Sequence, residues 1–100
     1  MPQRIIVYWR DIPAQVIVKQ GRTAAKRQLP ERFEQAIDMA AMRAGKRDTD
    51  AYLAEWRKSD PEPIDGEDLE ALATAEAARL EAEYSVEKVR ALIDSGGAAV

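Results

Sequence analysis

The stretch Arg4-Ile5-Ile6-Val7-Tyr8-Trp9-Arg10, followed by Asp11-Ile12-Pro13 and then Ala14-Gln15-Val16-Ile17-Val18-Lys19, decides the fold class. The first run is rich in β-branched and aromatic side chains and too short for an amphipathic helix, so it reads as a strand, apolar on both faces. Pro13 fixes φ and supplies no N–H, which interrupts the run. The β-branched pattern resumes beyond it, and the short connection predicts a hairpin.

Downstream, residues 20–29 form a basic polar stretch containing Gly21, Arg22, Lys26 and Arg27, read as a loop. It ends at Pro30, a residue suited to the first helical position. Phe33, Ala36, Ile37, Ala40 and Ala44 then recur with helical spacing. Most of that stripe is alanine, which allows close approach to a sheet. Gly45 can end this helix in the left-handed conformation, with Arg43, Lys46 and Arg47 near its carbonyl end. Residues 51–58 carry two patterns: Tyr52, Ala54 and Trp56 alternate as in a strand, while Asp48 or Thr49 could cap a short helix that brings Tyr52 and Trp56 together. The aromatic content and the extended exit imposed by Pro61 and Pro63 favour the strand.

Asp65 is expected to cap a helix with Glu67, Asp68 and Glu70 in its first turn and Leu69, Leu72, Ala73, Ala77, Leu80 and Tyr84 on its apolar stripe. Ser85 reads as a new N-cap before Val86, Val89, Leu92 and Ile93, with Gly96 and Gly97 as the stop. A break is therefore predicted near Tyr84, and residues 98–100 are expected to fray. The order strand-strand-helix-strand-helix-helix predicts an α+β domain: a small antiparallel or mixed three-stranded sheet with helices packed on one face.

The 100 residues suffice for one domain with one core, and 46% apolar against 33% charged residues is the composition of a folded protein. No cysteine is present, which excludes disulfides and thiolate chemistry. The longest early apolar run, Ile5 to Trp9, is too short for a signal-peptide core or a membrane span, so a cytoplasmic protein without membrane attachment is expected. Charge divides the chain. Residues 1–60 hold 12 Lys and Arg against 8 Asp and Glu, and residues 61–100 hold 3 against 10. This gives a single domain, 1–100, with a basic strand-strand-helix-strand part (1–60), an acidic Pro-containing linker (61–66) and an acidic helical part (67–96). A basic first part and an acidic tail suit either contact with each other or a partner with its own charge pattern.

Histidine is absent, which removes the commonest general base and the commonest transition-metal ligand. Among the hydroxyls only Ser59 has an adjacent lysine, Lys58, and strand neighbours point to opposite faces. The nearest carboxylate pairs, Glu31 with Glu34 and Asp60 with Glu62, are more simply helix-start and linker acids. The acidic loop from Asp60 to Gly66 fails as a calcium site: Ile64 stands where an oxygen ligand is required, and the glycine comes one residue late. No catalytic residue, metal ligand or cofactor is assigned, and the chain reads as no enzyme on its own.

The cluster that remains is aromatic and basic. Tyr8, Trp9, Arg10, Trp56 and Arg57 are residue types that concentrate binding energy at protein interfaces, and they form the candidate protein-binding surface. An open sheet edge adds a place where a partner strand or a second copy of the chain could pair. A second reading takes Lys19, Arg22, Lys26, Arg27 and Arg32 as a site for nucleic acid or another anionic ligand. The pI of about 5.0 and the acidic helices argue against nucleic acid. A third would be an enzyme built on two carboxylates in one cleft.

With Ile6-Val7-Tyr8-Trp9-Arg10-Asp11-Ile12-Pro13-Ala14-Gln15-Val16, Lys26-Arg27-Gln28-Leu29-Pro30-Glu31-Arg32-Phe33 and Tyr52-Leu53-Ala54-Glu55-Trp56-Arg57, the chain resembles the small bacterial "virulence factor" domain family, also found as a segment of conserved virulence factor C proteins. The resemblance covers most of the chain and brings no catalytic residues with it. The family name implies a phenotype and no reaction; taken with the aromatic and basic cluster, the leading expectation is a non-enzymatic accessory or adaptor domain of this family that binds another protein. The resemblance also implies a setting near corrinoid- or folate-dependent one-carbon methyl transfer. There a chain without histidine would serve as an accessory and not as the cobalamin carrier.

Overall fold

Residues 1–46 and 48–97 are described by a computed structural model; Arg47, expected behind the first helix, and residues 98–100, expected to fray, lie outside them. The predicted hairpin forms. β1 (Gln3–Trp9) pairs antiparallel with β2 (Ile12–Gln20), Ile6 opposite Val16 and Arg4 opposite Val18, with a register shift between Val7 and Tyr8. The connecting turn places Arg10 in the left-handed region at φ 53°.

The basic stretch read as a loop is a strand. β3 (Thr23–Gln28) pairs antiparallel with β2 along its whole length, and Gly21, at φ 60°, makes the turn between them. Only Ala25 of this strand is buried, so its side chains carry almost none of the alternation that marks a half-buried strand. Backbone pairing at the sheet edge forms it instead.

Helix α1 (Glu31–Arg43) begins one residue after Pro30, whose backbone is extended at ψ 157°. Its end is a Schellman motif: the Lys46 N–H donates to the Ala41 carbonyl at 2.8 Å and the Gly45 N–H to Met42 at 3.2 Å, with Gly45 at φ 71°. Residues 51–58, expected as one strand, divide instead. Helix α2 (Thr49–Ala54) occupies the first half and β4 (Trp56–Lys58) the second, Trp56 opposite Trp9. Residues 62–63 of the expected linker form β5 (Glu62–Pro63), which pairs with Gln3 and Arg4 at the start of β1. The sheet is thus five-stranded and antiparallel, in the order β3-β2-β1-β4 with β5 also on β1, larger than the three strands expected.

Helix α3 (Leu69–Glu83) is capped by Asp68, whose side chain accepts from the Ala71 N–H at 3.2 Å; Asp65, the predicted cap, lies before it. The break at Tyr84 is present. Ser85 caps α4 (Val86–Asp94) by accepting from the Lys88 N–H at 3.2 Å, and Gly96 and Gly97 end it at φ 73° and 93°.

One core joins these elements. Ile6, Val16, Val18 and Ala25 share a sheet face by register and meet Phe33, Ile37, Leu80, Val89 and Leu92 from the helices. Helix α3 lies over β2 and β3, while α1 packs on β2 and α4. Of the alanines in the α1 stripe, Ala36 and Ala40 are completely buried and Ala44 partly so; Ala73 of α3 is also completely buried. Ile5, Val7 and Ile17 alternate to the other sheet face, outside this cluster. Val86, the first apolar residue after the Ser85 cap, is exposed, whereas Val89 and Leu92 are buried.

Candidate functional site: two clefts beside the first strand

Of the five residues expected to form one surface, two serve the interior. Trp9 is completely buried; its ring stacks on Tyr52 at 5.8 Å between centroids, and its indole N–H donates to the Tyr52 carbonyl at 2.9 Å. It therefore leaves the candidate surface. Arg10 secures the β1–β2 turn: its guanidinium pairs with Glu55 at 3.2 Å and donates to the Gly96 carbonyl at 3.0 Å. The Asp11 N–H reaches the Gly97 carbonyl at 2.8 Å, so the turn is bound to the end of α4. The remaining three, Tyr8, Trp56 and Arg57, are partly or fully exposed and line two different clefts.

The first cleft, of about 210 Å³, lies between α1, α2 and the start of β4. Trp56 and Tyr52 meet edge to face on its wall, with centroids 6.0 Å apart. Glu34 and Asp38, one helical turn apart on α1, supply its acids, and Leu29 and Ile37 its apolar lining. Burial pushes the Tyr52 hydroxyl above the usual phenol range, and the charges of Asp38 and Glu34 add to the effect. Neither carboxylate pair considered from the sequence lines this cleft as a pair: Glu34 does so with Asp38 and not with Glu31. Spacing alone could have indicated Glu34 and Asp38, since residues four apart on a helix share a face.

The second cleft, of about 300 Å³, lies between β1, β4 and α4. Arg57 stacks over the Tyr8 ring at 4.4 Å, donates to the Arg10 carbonyl at 2.7 Å and pairs with Asp11 at 2.9 Å. Across from it, Lys88 lies over the Tyr84 ring at 4.4 Å. The Tyr84 hydroxyl is pushed up to about 12, by burial first and then by Tyr8, Glu83 and Asp11, and it shares a hydrogen bond with Tyr8. Tyr84 escaped the sequence reading because it entered only as a stripe residue at the helix break, and Lys88 did not enter it at all.

The basic set does not assemble. Lys26, paired with Ile17, and Lys19 lie on one sheet face; Arg27, paired with Val16, lies on the other and reaches Thr74 at 3.1 Å and Glu70 at 3.8 Å. Arg32 covers the Phe33 ring at 4.2 Å and donates to the Glu81 carbonyl at 2.9 Å. Arg22 sits in the β2–β3 turn. Ser59 accepts from the Ile6 N–H at 2.8 Å, which extends the pairing of β4 with β1.

Fold and clefts together define a small α+β domain with aromatic and charged surface pockets. Among the described residues, no group of three or more metal-ligating side chains converges, and no helix is long and apolar enough to cross a membrane. The family described as "Virulence factor" matches residues 7–93, and the chain belongs to that family. No curated protein and no solved structure matches it.

Proposed function

We propose that this domain is a non-enzymatic accessory module that binds another protein through the cleft walled by Trp56 and Tyr52. The observation that carries this reading is the difference between the two tryptophans: Trp9 is wholly enclosed, whereas Trp56 stays partly exposed beside a second aromatic ring and two carboxylates. A partly exposed tryptophan in a cleft is the kind of anchor on which protein interfaces concentrate their energy. Glu34 and Asp38 beside it suit a basic side chain on the partner, held by charge and by the ring faces.

Affinity capture of the tagged protein from its native cell extract, in low and high salt after nuclease treatment, tests this. Wild-type protein is expected to retain a stoichiometric protein partner that both Trp56→Ala and Asp38→Lys lose. Asp38 is an exposed helix position, so its exchange leaves the core intact. Retention of nucleic acid alone, lost in salt, would overturn the adaptor reading. Equal retention by all three proteins would move the binding surface elsewhere.

A further inference from the structure

The geometry points to a binding site for a small organic monocarboxylate in the second cleft, between β1, β4 and α4, independently of the Trp56 cleft. The charges of the cleft set the ligand's charge. Asp11 offsets Arg57 through their 2.9 Å contact, and Glu83, whose charge also reaches Tyr84, is paired with Arg79 at 2.9 Å, which leaves Lys88 as the surplus cation among the residues that line the cleft. Lys88 makes no ion pair among the described residues, although residues 61–100 contain ten acids and Arg79 pairs with two of them, Glu76 and Glu83. Its ammonium lies over Tyr84 at the cleft instead. One uncompensated positive charge beside a fixed carboxylate suits a ligand with one negative charge and opposes a dianion.

The hydrogen-bonding groups fit the same ligand. Tyr8, Tyr84 and Ser59 bring three hydroxyls to the cleft; Tyr8 and Tyr84 share a hydrogen bond, so one of the two phenol protons is spent between them and the other is left for a ligand. Ser59 spends an acceptor lone pair on the Ile6 N–H, which leaves its own proton available. A carboxylate accepts only, so a site of hydroxyl and ammonium donors matches it. Leu92 and the two phenol rings give an apolar surface for the body of the ligand, and about 300 Å³ is at the lower end of the size of small-molecule pockets. Arg57 is held on three sides, by the Tyr8 ring, the Arg10 carbonyl and Asp11, so it is positioned before a ligand arrives.

The test is an NMR titration that follows the ring signals of Tyr8 and Tyr84 at constant ionic strength, with three probes: sodium benzoate, benzyl alcohol and inorganic phosphate. Benzoate is expected to shift both rings saturably. Lys88→Ala should weaken that binding at least tenfold, Lys88→Arg should retain most of it, and Tyr84→Phe should weaken it severalfold. Lys88 is exposed, so its variants keep the fold, which unchanged backbone signals elsewhere would verify. Three outcomes would overturn the proposal: no saturable shift with benzoate, unchanged affinity in Lys88→Ala, or binding of benzyl alcohol or phosphate as tight as that of benzoate. The first two would mean that Lys88 and Arg57 merely rest on the tyrosine rings.

Discussion

Gly97 lies against the face of Trp9, and this one contact explains how a tryptophan near the start of the chain is sealed from the other end. A Cβ built on Gly97 would stand 2.8 Å from Cζ3 of Trp9 and 3.2 Å from Cε3, and the backbone there is at φ 93°. Gly45 is a useful contrast: it is also left-handed, at φ 71°, but open space surrounds its missing Cβ. Gly45→Ala therefore costs only the backbone term, about 1 kcal/mol. Gly97→Ala adds the collision with an indole that has no free space to move into, and the total should reach about 2–4 kcal/mol. Urea denaturation of the two variants measures both costs; equal costs would show that the indole gives way. In the sequence Gly97 reads correctly as a helix stop, but nothing local says that the same residue closes over Trp9. For that reason Trp9 and Trp56 look alike on paper and differ in the fold.

The elements that the sequence left unread are those made by pairing and not by burial. β3 presents one buried alanine, and β5 contains a proline and an exposed glutamate, so neither shows a period. β1 and β2, dense in β-branched side chains, and α1 and α4, with apolar residues at helical spacing, were legible for the converse reason. β5 is tied down by Arg4, which pairs with Glu62 of that strand and, at 2.9 Å, with Glu76 of α3. The Ile64 N–H adds a bond to the Pro2 carbonyl at 2.9 Å, so residues 62–64 of the expected linker are fastened to β1 and the residue before it. Burial pushes the Glu76 carboxyl up, but hydrogen bonds from Arg4 and Arg79 outweigh it and hold the group below the usual carboxylate range. A depressed folded value contributes stability that is present above the unfolded value and lost as pH falls through the folded one. Melting temperature followed from pH 6 downward should drop below pH of about 4.5, and Glu76→Gln should flatten that limb. Arg4→Ala should cost about 1–3 kcal/mol at pH 7, because it leaves the largely buried Glu76 with Arg79 alone. An acid limb of the same slope in Glu76→Gln would place the titrating group elsewhere.

At the scale of the molecule, the charge division read from the sequence is used internally. Arg4 with Glu76, Arg27 with Glu70, and Arg43 with Asp94 at 3.5 Å each join the basic first part to the acidic second. The apolar contacts cross the same boundary: Phe33 meets Tyr84 edge to face at 6.4 Å, and α3 lies over β2 and β3. A chain hinged at residues 61–66 would let its two parts unfold separately, whereas one continuous core makes them unfold together. Tryptophan fluorescence reports on Trp9 and Trp56, both in the first part, while far-UV dichroism is weighted toward α3 and α4 of the second as well as α1. The urea midpoints from the two signals should coincide. Added salt should lower that common midpoint only slightly, since exposed ion pairs such as Arg43 with Asp94 contribute about 0–1 kcal/mol each. If the dichroism instead falls before the fluorescence, and salt widens the gap, then charge and not the core holds the helical part to the sheet, and the two parts are separate folding units.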